Sequence, residues 1–137
     1  MTIVFVNQDK ILRESFLETF QQTNKVYCFN EMFEAYKWMK KSLVPPNMIV
    51  TEVDLVDPSG LQSLKFLETK SKLKDTLLIA FTPENIERDQ ISYVVSEGAD
   101  AVFSKPTLLS DMSSYLKFLE SPRTGSIAKP KMQAHKK

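Results

Sequence analysis

A chain of 137 residues with 42% hydrophobic and 26% charged side chains has the size and composition of one globular domain built on a single core. No apolar stretch approaches the roughly 20 residues of a membrane span. Met1-Thr2-Ile3-Val4 enters an apolar run without a basic leader, so a cytoplasmic location is expected. The net charge of +1 conceals a split: five of the 18 basic residues and none of the 17 acids follow Glu120, leaving 13 bases against 17 acids in residues 1–120.

Ile3 to Val6 is a continuous apolar run, as expected of a strand covered on both faces. Leu12, Phe16 and Phe20, with Leu17 beside them, then mark one face of a helix. A short second strand spans Val26 to Phe29. It contains Cys28, the single cysteine, which reads as a small buried hydrophobe with no internal disulfide partner. Asn30 is the expected cap of a helix carrying Met32, Tyr36 and Met39 on one side, with Trp38 as a packing residue, ending before Pro45-Pro46.

Met48 to Thr51 is the third strand, and Asp57-Pro58-Ser59-Gly60 reads as a turn whose Pro and Gly supply special backbone angles. Leu61, Leu64 and Leu67, with Phe66 alongside, line a third helix, and Leu77 to Phe81 is a fourth strand. Pro83 suits the first turn of a fourth helix running past Ile86, Ile91, Val94 and Val95 to a stop at Gly98. Ala101 to Phe103 is the fifth strand, and Leu109, Met112, Leu116 and Leu119 stripe the last helix. Residues 121–137, beginning Ser121-Pro122-Arg123-Thr124-Gly125-Ser126, read as a basic flexible tail or linker beyond a domain of residues 1–120.

Strands spaced by helical patterns predict an α/β fold with one five-stranded parallel sheet and helices on both faces. In such a sheet binding groups collect where strands end. Asn7, Gln8 and Asp9 follow the first strand, Glu52 and Asp54 the third, Thr82 the fourth, and Lys105-Pro106 the fifth. One sheet edge therefore gathers a polar cluster.

The run Gly98-Ala99-Asp100-Ala101-Val102-Phe103-Ser104-Lys105-Pro106 resembles the stretch leading to the lysine-proline pair of response regulator receiver domains in two-component signalling. Pro46-Asn47-Met48-Ile49-Val50-Thr51-Glu52, followed eight residues on by Gly60, is similar to the family's phosphoacceptor segment. Val6-Asn7-Gln8-Asp9, with Arg13 beyond, is similar to its first strand and acidic pair, and Thr82 falls at its phosphoryl-binding hydroxyl. The resemblance covers roughly residues 2–120. It implies a flavodoxin-like, receiver-type (βα)5 fold, a cis peptide before Pro106, and a bacterial phosphorelay module rather than an enzyme.

The departures bear on function. Family members hold Mg²⁺ with the acidic pair and the acceptor aspartate, oxygen ligands that a hard cation favours. Here Asn7 and Gln8 are neutral and Glu52 stands at the acceptor position, so neither Mg²⁺ nor any other resident cofactor is expected. Glu52 is one methylene longer than aspartate and overshoots the position for in-line attack. Its carboxylate is expected instead to pair with Lys105 and to accept a hydrogen bond from Thr82. Three consequences stay open: an active-like state, a locked inactive one, or an ion pair without signalling content.

In the family, the fourth helix, fifth strand and fifth helix form the face for a protein partner or a second copy. The resemblance assigns Arg88, Ser92, Tyr93, Val102 and Tyr115 to it. Val102 stands where the family commonly has an aromatic that swings inward on activation. No nucleic-acid binding follows from the fold.

Rival readings are a working phosphoacceptor at a nearby aspartate, the regulatory piece of a longer output protein, and a flavodoxin-like binder of an anion or flavin. The last lacks a suitable phosphate loop, since the three glycines stand at 60, 98 and 125. His135, the single histidine, falls in the tail, which leaves no histidine-based triad or metal set for the domain.

Overall fold

The computed structural model describes residues 1–121, so the tail expected over 121–137 lies, past Ser121, outside the described residues. Five parallel strands, β1 (Thr2–Val6), β2 (Lys25–Phe29), β3 (Met48–Glu52), β4 (Leu77–Thr82) and β5 (Ala101–Ser104), form one sheet in the order β2-β1-β3-β4-β5. Helices α1 (Lys10–Phe20), α2 (Met32–Lys41), α3 (Ser59–Glu68), α4 (Arg88–Ser96) and α5 (Leu108–Leu119) connect or follow them. The flavodoxin-like (βα)5 expectation holds. Among the described residues no helix is long and apolar enough to cross a membrane.

Alternation along the strands divides the core in two, because successive side chains of a strand point to opposite faces. Ile3, Phe5, Met48, Val50, Ile79, Phe81, Ala101 and Phe103 pack under α1 and α5 against Phe16, Phe20, Leu108, Met112 and Leu116. Val4, Val6, Ile49, Leu78, Ala80 and Val102 pack on the other face against Ala35 and Met39 of α2, Leu61, Leu64 and Leu67 of α3, and Val94 of α4. Phe5 stacks on Phe16 at 4.1 Å and on Phe81 at 5.9 Å between ring centroids, joining α1 to the middle of the sheet. Trp38 packs against Tyr27 and Phe29 of the edge strand, as its packing role predicted. Cys28 is half-buried against the α1–α5 core, and burial pushes its thiol pKa up.

Several local expectations are corrected. Asn30 does not cap α2, which starts at Met32 with Glu31 at the cap position; the Asn30 amide oxygen faces Arg13 Nη1 at 3.5 Å instead. Pro83 lies before α4 rather than in its first turn. The helix begins at Arg88, where the Gln90 side chain accepts from the Glu87 N–H at 2.8 Å. Phe66 is 42% exposed on the outer side of α3.

Gly60 belongs to the first turn of α3 and has no positive φ, so unusual backbone angles are not its role. A Cβ there would stand 2.5 Å from the backbone oxygen of Glu52, and the bare glycine lets α3 start directly against the tip of β3. Gly98, at φ +127°, does require the conformational freedom of glycine.

Asp100 fixes β5 to β4. Its carboxylate accepts from the Leu78 N–H at 2.8 Å while its own N–H donates to Leu78 O at 2.7 Å. Replacing it with alanine leaves the N–H of a buried residue without this acceptor, so Asp100→Ala is expected to lower unfolding free energy by about 1–3 kcal/mol in urea titrations.

Candidate functional site

The order of the sheet places the site. The chain passes from β1 outward to β2 and returns to β3 on the other side, so the loops after β1 and β3 diverge and open a crevice at their carboxyl ends. Parallel pairing sets Val6 opposite Thr51 and Glu52 opposite Phe81. Asn7, Glu52, Thr82 and Lys105 thus reach one edge from four adjoining strands.

Within this cluster the polar groups satisfy one another. Asn7, buried at 6% exposure, donates from Nδ2 to Glu52 Oε1 at 2.6 Å, and its Oδ1 accepts from the Asp9 N–H at 2.9 Å. Arg13 Nη1 donates to Asn7 O at 2.8 Å, fixing the β1–α1 loop from the helix side. Asp9 caps α1, its Oδ1 accepting from the N–H groups of Ile11 and Leu12. The same carboxylate meets Lys105 Nζ at 3.4 Å.

The expected Glu52–Lys105 pair is therefore replaced by two others, Glu52 with Asn7 and Asp9 with Lys105. The reason is local. An amide at position 7 is a donor that an aspartate would not be, and Asp9 stands at a helix start, where a carboxylate is already favoured. Thr82 does not donate to Glu52 either: its Oγ1 donates to Glu84 O at 2.6 Å, with Phe103 O at 3.4 Å. The Lys105–Pro106 peptide is trans, contrary to the cis form implied by the resemblance.

The Leu12 N–H bond holds the Asp9 carboxyl below 3.8, with Lys105 and the Ile11 N–H adding to it against a desolvation penalty. A depressed folded-state pKa contributes stability above 3.8 that is lost as pH falls through the lower folded value. Asp9→Asn keeps a capping oxygen but not the charge. Thermal midpoints should show wild type ahead of this variant above pH 3.8, with the gap closing below it; both groups of the pair are exposed, so the gap is small.

A cleft of about 460 Å³ opens beside the cluster, lined by Asn7, Gln8, Glu52, Asp54 and Gly60 on one side and by Asn30, Glu31, Met32 and Phe33 on the other. The second wall was missed from sequence. It comes from the β2–α2 turn and the start of α2, and the pairing of β2 with β1 brings it alongside. Asp54 lines this cleft, its carboxylate accepting from the Val56 N–H at 2.9 Å. Pro106 is exposed in a 3₁₀ turn, Lys105–Thr107, that leads into α5.

The proposed partner face divides. Arg88, Ser92 and Tyr93 are exposed on α4, Tyr93 by 50%. Val102 and Tyr115 are buried, at 5% and 6% exposure, and cannot be contact residues. Val102 turns into the α2–α4 side of the core, while Tyr115 packs edge-on against Phe103 at 5.7 Å. Burial, reinforced by the Asp100 charge, raises the Tyr115 phenol pKa.

This architecture recurs among solved structures. The chain superposes on a response regulator protein from Burkholderia multivorans with a TM-score of 0.68 at 18% identity, over 88% of this chain and 95% of that one. Against the chemotaxis response regulator CheY4 of Vibrio cholerae the values are 0.73 and 18%, over 86% and 97%. It also matches the Thermotoga maritima response regulator DrrB, an OmpR/PhoB homologue, at 0.72 and 20%, over 89% of this chain and 53% of that one. The fold is the receiver-type (βα)5 fold. No protein-family model matches the sequence. On this receiver-type frame the carboxyl edge of the sheet carries one amide-bound glutamate, one lysine-bound aspartate and a threonine turned to the backbone.

Proposed function

We propose that this chain is an atypical receiver-like module of bacterial two-component signalling, cytoplasmic and non-enzymatic, that acts through protein–protein contact and takes no phosphoryl group at residue 52. The observation carrying this reading is the 2.6 Å bond from Asn7 to Glu52. Acyl phosphate formation needs a carboxylate oxygen free for in-line attack, with cations offsetting charge on the transferring oxygens. Here Oε1 of that carboxylate accepts from the Asn7 amide, and the ammonium closest to the role is turned to Asp9.

The donors suit Mg²⁺ poorly. Asn7 and Gln8 contribute no charge, Asp9 is committed to Lys105 and two helix N–H groups, and among the described residues no set of three or more His, Cys, Asp or Glu is gathered for a metal. The site accordingly works as a fixed polar clasp joining the β1–α1 and β3–α3 loops. Recognition falls to the exposed α4 residues Arg88, Ser92 and Tyr93, which offer a cation, a hydroxyl and an aromatic to a protein partner or a second copy.

Incubation with acetyl phosphate and Mg²⁺, followed by intact-mass measurement, tests the reading. The unmodified mass is expected. A stable phosphoryl adduct, mapped to Asp54, Asp9 or Glu52, would establish the rival phosphoacceptor instead.

A further inference from the structure

The edge of the sheet opposite the clasp has a different chemistry. Leu43 and Val44, between the end of α2 and Pro45-Pro46, are 98% and 76% exposed, an adjacent aliphatic pair left entirely outside the core. The segments that flank them are rich in lysine. Residues 36–44 contain Lys37, Lys40 and Lys41 and no acid; residues 66–75 add Lys70, Lys72 and Lys74 against Glu68 and Asp75, so six bases less two acids leave a local charge of +4.

The structure draws these two segments together. Lys72 Nζ donates to Ser42 O at 2.7 Å and to Met39 O at 3.0 Å, placing its charge beside the residue that precedes Leu43. Lys40 and Lys70 converge on the Tyr36 ring at 5.8 and 6.0 Å, and Lys70 also lies over Phe66 at 4.4 Å. The result is an aliphatic tip in a basic collar, stiffened on one side by two prolines.

We propose that this tip and collar form a docking surface for an anionic membrane, Leu43 and Val44 entering the headgroup boundary while the lysines meet lipid phosphates. Charge complementarity favours an anionic occupant, and the apolar part distinguishes among anions. The aromatic rings of the patch are capped by ammonium groups and the projecting side chains are aliphatic, so nucleobases find little open face for stacking. A protein partner needs a hollow shaped to receive a projecting leucine; a fluid lipid interface needs none. Apolar insertion joined to a polybasic surface is the two-signal combination that gives stable yet reversible membrane attachment. Met48 starts β3 four residues after Val44, and Glu52 ends the same strand about 13 Å from Met48, so docking leaves the clasp and α4 accessible.

Flotation of the full 137-residue chain with vesicles of equal parts phosphatidylglycerol and phosphatidylcholine tests this. The chain should float with these vesicles, remain behind with pure phosphatidylcholine, and be released by salt. Leu43→Asp with Val44→Asp should weaken partitioning by at least about tenfold. Lys40→Gln, Lys41→Gln and Lys74→Gln together should weaken it by about 100-fold, each lysine near an anionic surface being worth about fivefold. All five side chains are exposed, and unchanged thermal midpoints would verify that the variants fold.

Absence of flotation would overturn the proposal. So would binding that survives both sets of substitutions, which would assign the attraction to the basic residues after Glu120. Retention of a single-stranded oligonucleotide through the same lysines, with no vesicle binding, would overturn it in favour of nucleic acid. None of these outcomes bears on phosphoryl transfer at residue 52.

Discussion

Phe5→Ala is expected to lower the free energy of unfolding by about 3–5 kcal/mol, seen as a shift of the urea midpoint with little change in slope. Phe5 is fully buried in β1, an interior strand of the sheet, between Phe16 of α1 and Phe81 of β4. Truncation removes both ring contacts and leaves a void bordered by a helix and two neighbouring strands, which cannot all collapse into it. Domains of this size are stable by about 5–15 kcal/mol, so the loss is a large part of the total. Phe66→Ala, on a side chain 42% exposed, should cost far less and provides the comparison. Similar losses for the two would contradict the division of core and surface described above.

On the proposed reading of the clasp, changing its charge and length should produce phosphoryl transfer at residue 52. The triple variant Asn7→Asp, Gln8→Asp, Glu52→Asp removes the amide that holds residue 52, shortens its side chain by one methylene, and supplies three carboxylates for a hard cation. Without metal these charges repel one another, and the thermal midpoint should fall below that of wild type. Added Mg²⁺ should raise it again, because a ligand that binds only the folded state stabilises that state.

Acetyl phosphate should then modify the variant at residue 52 at least about 100-fold faster than wild type, the scale on which a misplacement of about 1 Å affects a positioned reaction. Glu52→Asp alone should not suffice, since Asn7 and Gln8 still withhold two charges. Equal modification of wild type and triple variant would refute the proposed role of the clasp. Failure of the triple variant to bind Mg²⁺ would point instead to the trans Lys105–Pro106 turn or to the Asp9–Lys105 pair as the obstacle.

The element pattern was legible because burial on both faces of a parallel sheet leaves a strong mark. Apolar runs such as Ile3–Val6 and Leu77–Phe81 admit no polar residue, and the four-residue spacing of Leu12, Phe16 and Phe20 gives the α1 face directly. Helix starts were less legible. Asn30 and Pro83 each have the chemistry of a start signal, yet which residue begins a helix depends on where the preceding loop is held, and Arg13 draws the Asn30 side chain away. Gly60 was recognised as important for the wrong reason. Its need is for space against Glu52 O, and proximity of that kind is invisible until α3 is placed on β3.

Composition and order along the chain were enough to establish an α/β fold, a parallel sheet, and a carboxyl edge carrying Asn7, Glu52, Thr82 and Lys105. These follow from periodicity and from the direction of parallel strands, which bring every strand end to one side. Tertiary structure alone decided the pairing within that edge, the burial of Val102 and Tyr115, and the meeting of Lys72 with the end of α2. Each depends on distances of a few ångströms between residues far apart in the chain, and hydrogen-bond choice among several available donors is settled only when all of them occupy the same space.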